Sequence, residues 1–178
     1  PLWQQLQLTA GVLAAIRRGQ SGTAALEDVN AAMRAGVQAL SFAVLRTLGR
    51  AQELRKLLAP RAPAAPVDAL LCTALALLCQ PGGATYDTFT LVNQTVEAAK
   101  RSVSTRAQAS FINACLRRYL REQEALLAQS DDSDLARWNH PLWWIRQLQV
   151  DWPDHWQAIL AANDHHAPMT QRVNTRRI

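Results

Sequence analysis

Apolar residues return at three- and four-residue steps along most of the chain, the spacing of one face of an α-helix. Trp3, Leu6, Ala10, Leu13 and Ile16 make the first stripe, which runs into Arg17-Arg18-Gly19. Cations suit the last turn of a helix, where unpaired carbonyls carry partial negative charge, and glycine suits a left-handed exit. Residues 20–30 read as a connector with a single helical turn. Met33, Val37, Leu40, Val44 and Leu48 form a second stripe, Gly49 predicts a break, and a shorter helix follows through Leu54, Leu57 and Leu58. Pro60, Pro63 and Pro66 then make a loop hostile to helix.

From Val67 to Cys79 the chain is apolar on nearly every face, as expected of a helix surrounded by others. That run is too short for a bilayer, which needs about 20 apolar residues. Pro81-Gly82-Gly83 stops it. A fifth helix is predicted over residues 88–101, with Leu91 or Val92, Val96 and Ala99 inward and Glu97 paired to Arg101. The sixth is predicted to be the longest: Phe111, Ile112, Cys115, Leu116, Tyr119, Leu120, Leu126 and Leu127 share one stripe, with Arg117, Arg118 and Arg121 opposite. The expectation is an all-α bundle over residues 1–130.

The pattern changes at Asp131-Asp132-Ser133-Asp134. Five of the six tryptophans lie between Trp138 and Trp156, and Trp144, Leu148, Trp152 and Trp156 are spaced as interior anchors. Two short helices are predicted near residues 142–150 and 153–162, the second opening at Pro153. Residues 169–174 read as an extended strand without a partner in the sequence. Residues 131–178 are therefore expected to be linker helices and the first strand of an α+β domain present only in part.

Composition agrees with helix: alanine and leucine dominate, while Tyr, Phe and Ile are scarce. A hydrophobic content of 49% excludes a disordered chain. The formal net charge of +5 sharpens the picture, because it sits in the first third; residues 131–178 are slightly acidic. All the positive side chains but Lys56 and Lys100 are arginine, whose fork suits phosphate and whose plane stacks on bases. Arg17, Arg18, Arg101, Arg106, Arg117, Arg118 and Arg121 are the candidate RNA-binding residues. Tryptophan stacking on bases is not expected.

Three cysteines at unremarkable spacing point to buried thiols in a reducing, cytoplasmic compartment rather than to disulfides or a zinc site. The adjacent His165-His166 fall in a loop before Pro168, and His140 has no paired nucleophile. Neither a dinucleotide fingerprint nor a phosphate loop occurs. No catalytic residue, no metal ligand and no cofactor-binding residue is assigned.

Two stretches resemble a known family. Leu91-Val92-Asn93-Gln94-Thr95-Val96-Glu97-Ala98-Ala99-Lys100 and Ser110-Phe111-Ile112-Asn113-Ala114-Cys115-Leu116-Arg117-Arg118 resemble the last two helices of NusB-type RNA-binding domains. The segment from Ser41 to Leu48 is similar to their second helix. Further on, His140-Pro141-Leu142-Trp143-Trp144, Leu160-Ala161-Ala162-Asn163 and Ala167-Pro168-Met169-Thr170-Gln171-Arg172-Val173-Asn174 resemble the join between such a module and a methyltransferase of the Sun/Fmu family, ribosomal RNA small-subunit methyltransferase B.

That resemblance implies a NusB-like bundle followed by the start of a methyltransferase N-terminal subdomain. It implies small-subunit ribosomal RNA and the chain's own C-terminal methyltransferase domain as partners, and S-adenosylmethionine as the cofactor of the full-length enzyme. The family's two catalytic cysteines stand in Pro-Cys and Thr-Cys contexts; Cys72 precedes Thr73 inside an apolar helix and no Pro-Cys occurs. None is carried over, and the chain alone is expected to be inactive. The rival expectation is a free-standing NusB-type antitermination factor that binds leader RNA with a ribosomal protein.

Overall fold

The computed structural model describes residues 1–82, 86–165, 170 and 172. Among them it is all-helical: α1 (Leu2–Arg17), α2 (Gly22–Glu27), α3 (Ala31–Arg46), α4 (Leu48–Leu58), α5 (Ala65–Leu78), α6 (Thr88–Arg101), α7 (Ala109–Arg121), α8 (Gln123–Ser130), α9 (Asp134–Trp138), α10 (Leu142–Asp151) and α11 (Trp156–Asn163). A single 3₁₀ turn, Arg106–Gln108, precedes α7. No described helix is long and apolar enough to cross a membrane. The strand predicted over residues 169–174 falls, except for Thr170 and Arg172, outside the described residues.

Helix α5 is the axis of the bundle. Every residue from Ala69 to Leu78 is buried, because α1, α3, α4, α6 and α7 all pack against it. The all-round apolar run in the sequence therefore has a partner on each side. Around it lie Leu6, Ala10 and Leu13 of α1, Leu54 and Leu58 of α4, Leu91 and Ala98 of α6, and Ile112, Leu116 and Tyr119 of α7. Gly19, with φ 94°, makes the expected left-handed exit from α1.

Five features differ from the sequence reading. The connector at 20–30 is the helix α2: Ser21 Oγ accepts from the Ala24 backbone amide at 3.2 Å, and Ala25 and Leu26 bury against Val12, Ala15 and Val37. The break expected at Gly49 falls at Thr47, whose hydroxyl donates to the Ala76 carbonyl oxygen at 2.8 Å and ties the α3–α4 junction to α5. The long sixth helix is two, α7 and α8, divided at Glu122 (φ −116°). The second linker helix opens at Trp156, not Pro153, and α9 before it was not predicted.

The linker has its own small core. Ile145, Leu148 and Leu160 are buried beneath Trp138, Trp144 and Trp156, and the Trp138 and Trp156 rings meet edge to face at 4.9 Å. Trp152 departs from the expected anchor role, since it lies at the end of α10 and is exposed, as is Trp143.

The linker is fastened to the bundle through Asn139. This residue caps α9 with φ 54°, a conformation asparagine tolerates better than most side chains. Its Oδ1 accepts from the Gly49 backbone amide at 2.8 Å. Its Nδ2 donates to the Leu45 carbonyl oxygen at 2.9 Å and to Asp164 Oδ1 at 3.0 Å. One side chain thus joins the α3–α4 junction, α9 and the end of α11.

Candidate nucleic-acid interface

The seven candidate arginines occupy several places rather than one surface. Three have close acidic neighbours. Arg17 Nη1 donates to Asp68 Oδ2 at 2.7 Å, and on the other side of that carboxylate Arg55 Nε lies 2.8 Å from Oδ1. Asp68 stands in the first turn of α5, so this triad ties α1 and α4 to the central helix. Arg101 pairs with Glu97, as its i,i+4 spacing predicts, and its guanidinium also sits 4.6 Å from the Trp3 ring centre. Arg118 Nε donates to Glu122 Oε2 at 2.9 Å.

The remaining four, Arg18, Arg106, Arg117 and Arg121, are exposed and form no ion pair among the described residues. They fall into two groups at opposite ends of the α6–α7 hairpin. Arg18 borders a groove of about 250 Å³ between α1, the start of α5 and the turn after α6, lined among others by Gln7, Gly11, Pro66, Ser104 and Thr105. Arg106 follows Thr105 directly. Thr105 shapes this turn by donating its hydroxyl hydrogen to the Ala99 carbonyl oxygen at 2.8 Å. Arg117 and Arg121, one turn apart on α7, line a second groove with Phe89. The spacing of residues along each helix signalled exposure, and it paired Glu97 with Arg101; the acid that meets Arg17, 51 residues away, was not legible.

A larger cleft, about 650 Å³, opens between the α3–α4 junction and the linker. Arg46, Arg50 and Arg137 line it together with Asp164 and His165. Arg50 Nη1 is bound to Asp131 at 2.7 Å and donates to Ser130 Oγ at 3.2 Å, so part of its charge is met within the chain. His140 is a packing residue: Nδ1 contacts the Trp138 carbonyl oxygen, and Nε2 lies 3.4 Å from Asn163 Nδ2. Among the described residues no cluster of His, Cys, Asp and Glu could hold a metal ion. His166 lies outside them.

Cys72, Cys79 and Cys115 are all free and buried. Burial pushes the Cys72 thiol up to about 11, helped by the Asp68 carboxylate 3.7 Å away, and pushes Cys79 up to about 11. Burial also raises Cys115. Thiols so held stay protonated and are poor nucleophiles. The native state keeps its protons while an unfolded thiol loses them near 9, so stability is intact below that pH and falls as pH climbs toward 11. Urea midpoints measured from pH 8 to 11 should show that decline. At pH 8 a thiol reagent should label the chain only as it unfolds; rapid labelling of the native chain would contradict the burial.

Comparison with known proteins shows what this helical body is similar to. Residues 140–178 match a family model described as the RsmF/B-like methyltransferase ferredoxin-like domain. Over 163 residues, 89% of the chain, the sequence is 32% identical to the ribosomal RNA small subunit methyltransferase B of Cronobacter sakazakii, and the match spans 38% of that protein. A probable ribosomal RNA small subunit methyltransferase B from Coxiella burnetii is 43% identical over 91 residues, 51% of the chain and 21% of its own length. Over most of its length the chain is therefore similar to proteins named ribosomal RNA small subunit methyltransferase B.

The chain spans about two fifths of the Cronobacter relative's length. S-adenosylmethionine, the methyl donor expected for the full-length enzyme, asks for a glycine-rich turn at the end of a strand. Among the described residues there is no strand, and Gly82 merely follows α5 in a turn. The described residues do not fit the donor. The free-standing factor has less behind it than the methyltransferase family, because the ferredoxin-like match falls on the segment that follows the bundle.

Proposed function

We propose that this chain is the RNA-binding N-terminal region of an S-adenosylmethionine-dependent ribosomal RNA (cytosine-5) methyltransferase of the cytoplasm. Residues 1–130 form its NusB-like module and residues 131–178 lead into the methyltransferase N-terminal subdomain. The observation that carries the reading is the likeness over 89% of the chain to a protein named for small-subunit ribosomal RNA methylation. The module's task is to hold small-subunit ribosomal RNA while the chain's own methyltransferase domain carries the chemistry. The exposed Arg18, Arg106, Arg117 and Arg121 supply the forks for phosphate oxygens. Arg17, Arg101 and Arg118 keep part of their donor capacity beside their carboxylates and act as secondary contacts.

A filter-binding assay with small-subunit ribosomal RNA fragments tests this. The chain should bind weakly, with log K falling linearly as log salt rises, by roughly 0.7 per phosphate neutralised on a single strand. The double variant Arg18→Ala/Arg106→Ala should bind more weakly and with a shallower salt slope. The natural protein that contains this chain should transfer labelled methyl groups to cytosine in that RNA. Absence of RNA binding even at low salt, or of methyl transfer by the natural protein, would overturn the respective half of the reading.

A further inference from the structure

Phe89 stands in the first turn of α6, just after the N-cap Asp87, and is 74% exposed. A phenylalanine so open has given up most of the burial that normally stabilises its ring in a fold. Its position is not solitary. Helix α7 runs alongside α6 and brings Arg117, Leu120 and Arg121 across from Phe89, Val92 and Asn93, and these six line a groove of about 340 Å³. Val92 is buried at the base. No carboxylate is among the lining residues, and the neighbouring Arg118, whose charge is met by Glu122, is not among them.

On the RNA-binding reading above, we propose that this groove is a subsite for one unpaired nucleotide of single-stranded RNA. The base stacks on the Phe89 ring, a contact that any base can make because each has a π-face. The guanidinium groups of Arg117 and Arg121, at i,i+4 on one helix, take the flanking phosphates. Asn93 is exposed beside the ring and offers both a donor and an acceptor to a base edge. The arrangement selects unpaired RNA, because a base inside a duplex is already stacked on both faces. Charge favours RNA over a protein helix as the occupant: an apolar helix would find two arginines with no acid supplied from this side.

The test is a fluorescence titration of the whole chain with a single-stranded RNA carrying one 2-aminopurine, set against a duplex of equal length. Wild type should bind the single strand and alter the 2-aminopurine emission by stacking. Phe89→Ala should raise Kd for the single strand about tenfold or more, abolish the emission change, and leave duplex binding and the melting temperature as they were. Phe89→Trp should retain both signals, and Arg117→Ala/Arg121→Ala should weaken binding with a reduced salt slope. If wild type binds single-stranded RNA and Phe89→Ala binds it equally well with the same emission change, the subsite is overturned and the groove belongs to a protein surface. If wild type binds no RNA of either form, the RNA-binding reading itself fails and the subsite with it.

Discussion

Gly49→Ala should cost the fold about 2–3 kcal/mol and loosen the helices that follow residue 133. A methyl group built on Gly49 would lie 2.1 Å from the Leu135 carbonyl oxygen and 3.1 Å from the Asn139 Cα. Both are backbone atoms, so no side chain can swing aside; α4 and α9 must separate. Separation also breaks the hydrogen bond from the Gly49 amide to Asn139 Oδ1, and with it the residue that joins three elements. Urea unfolding measures the loss, and limited proteolysis across residues 131–141 measures the loosening. Gly11→Ala is the control. Nothing lies within 4 Å of a methyl group there, and alanine inside a helix is about 1 kcal/mol better than glycine, so that variant should be as stable as wild type or more so. A Gly49→Ala chain that melts and resists protease as wild type does would show that α9 does not dock where the structure has it.

Asp68→Ala should be nearly as damaging, with a loss of roughly 2–3 kcal/mol. The carboxylate lies within 2.8 Å of two guanidinium groups, those of Arg17 and Arg55, whose side chains are 27% and 13% exposed. Removing one partner of a buried pair typically costs about 3–5 kcal/mol because the other charge is left without compensation. The partial exposure of Arg17 lets water recover some of that. Asp68→Asn keeps the shape and one acceptor oxygen and should lose about half as much. Chemical denaturation of the two variants measures the difference. If Asp68→Ala unfolds at the wild-type denaturant concentration, the triad contributes nothing to holding α1 and α4 on α5.

That triad illustrates how far the sequence could be read for the candidate interface. The periodic spacing of α7 put Arg117 and Arg121 on its outer side, and both are exposed. Arg17 was also legible as a cation ending α1, yet its acid lies 51 residues away, and no local rule connects the two. Glu97 with Arg101 could be paired in advance because they are four apart on one helix. Phe89 was overlooked for a related reason. Its first-turn position followed from the helix predicted over residues 88–101, but the groove exists only because α7 returns beside it.

For the fold, the pattern was reliable wherever a face repeated over several turns, as in α1, α3, α5 and α6. It faltered on short elements such as α2 and α9, whose stripes are too brief to rise above the surrounding polarity. Glu122 divides a stripe that continues without interruption in the sequence, because hydrophobic spacing does not register one residue with non-helical backbone angles.

By itself, then, the sequence determined that this is a helical body with α5 at its centre, where the major turns fall, and which arginines a helix would turn outward. All of these depend on interactions within a turn or two, where spacing along the chain is distance in space. Tertiary structure alone decided that Arg17 is bound to Asp68, that Gly49 must lack a side chain, that Asn139 fastens the linker, and that Phe89 shares a groove with Arg117 and Arg121. Each of those depends on residues tens of positions apart, brought together when apolar faces pack, and packing leaves no mark in the local pattern of either partner.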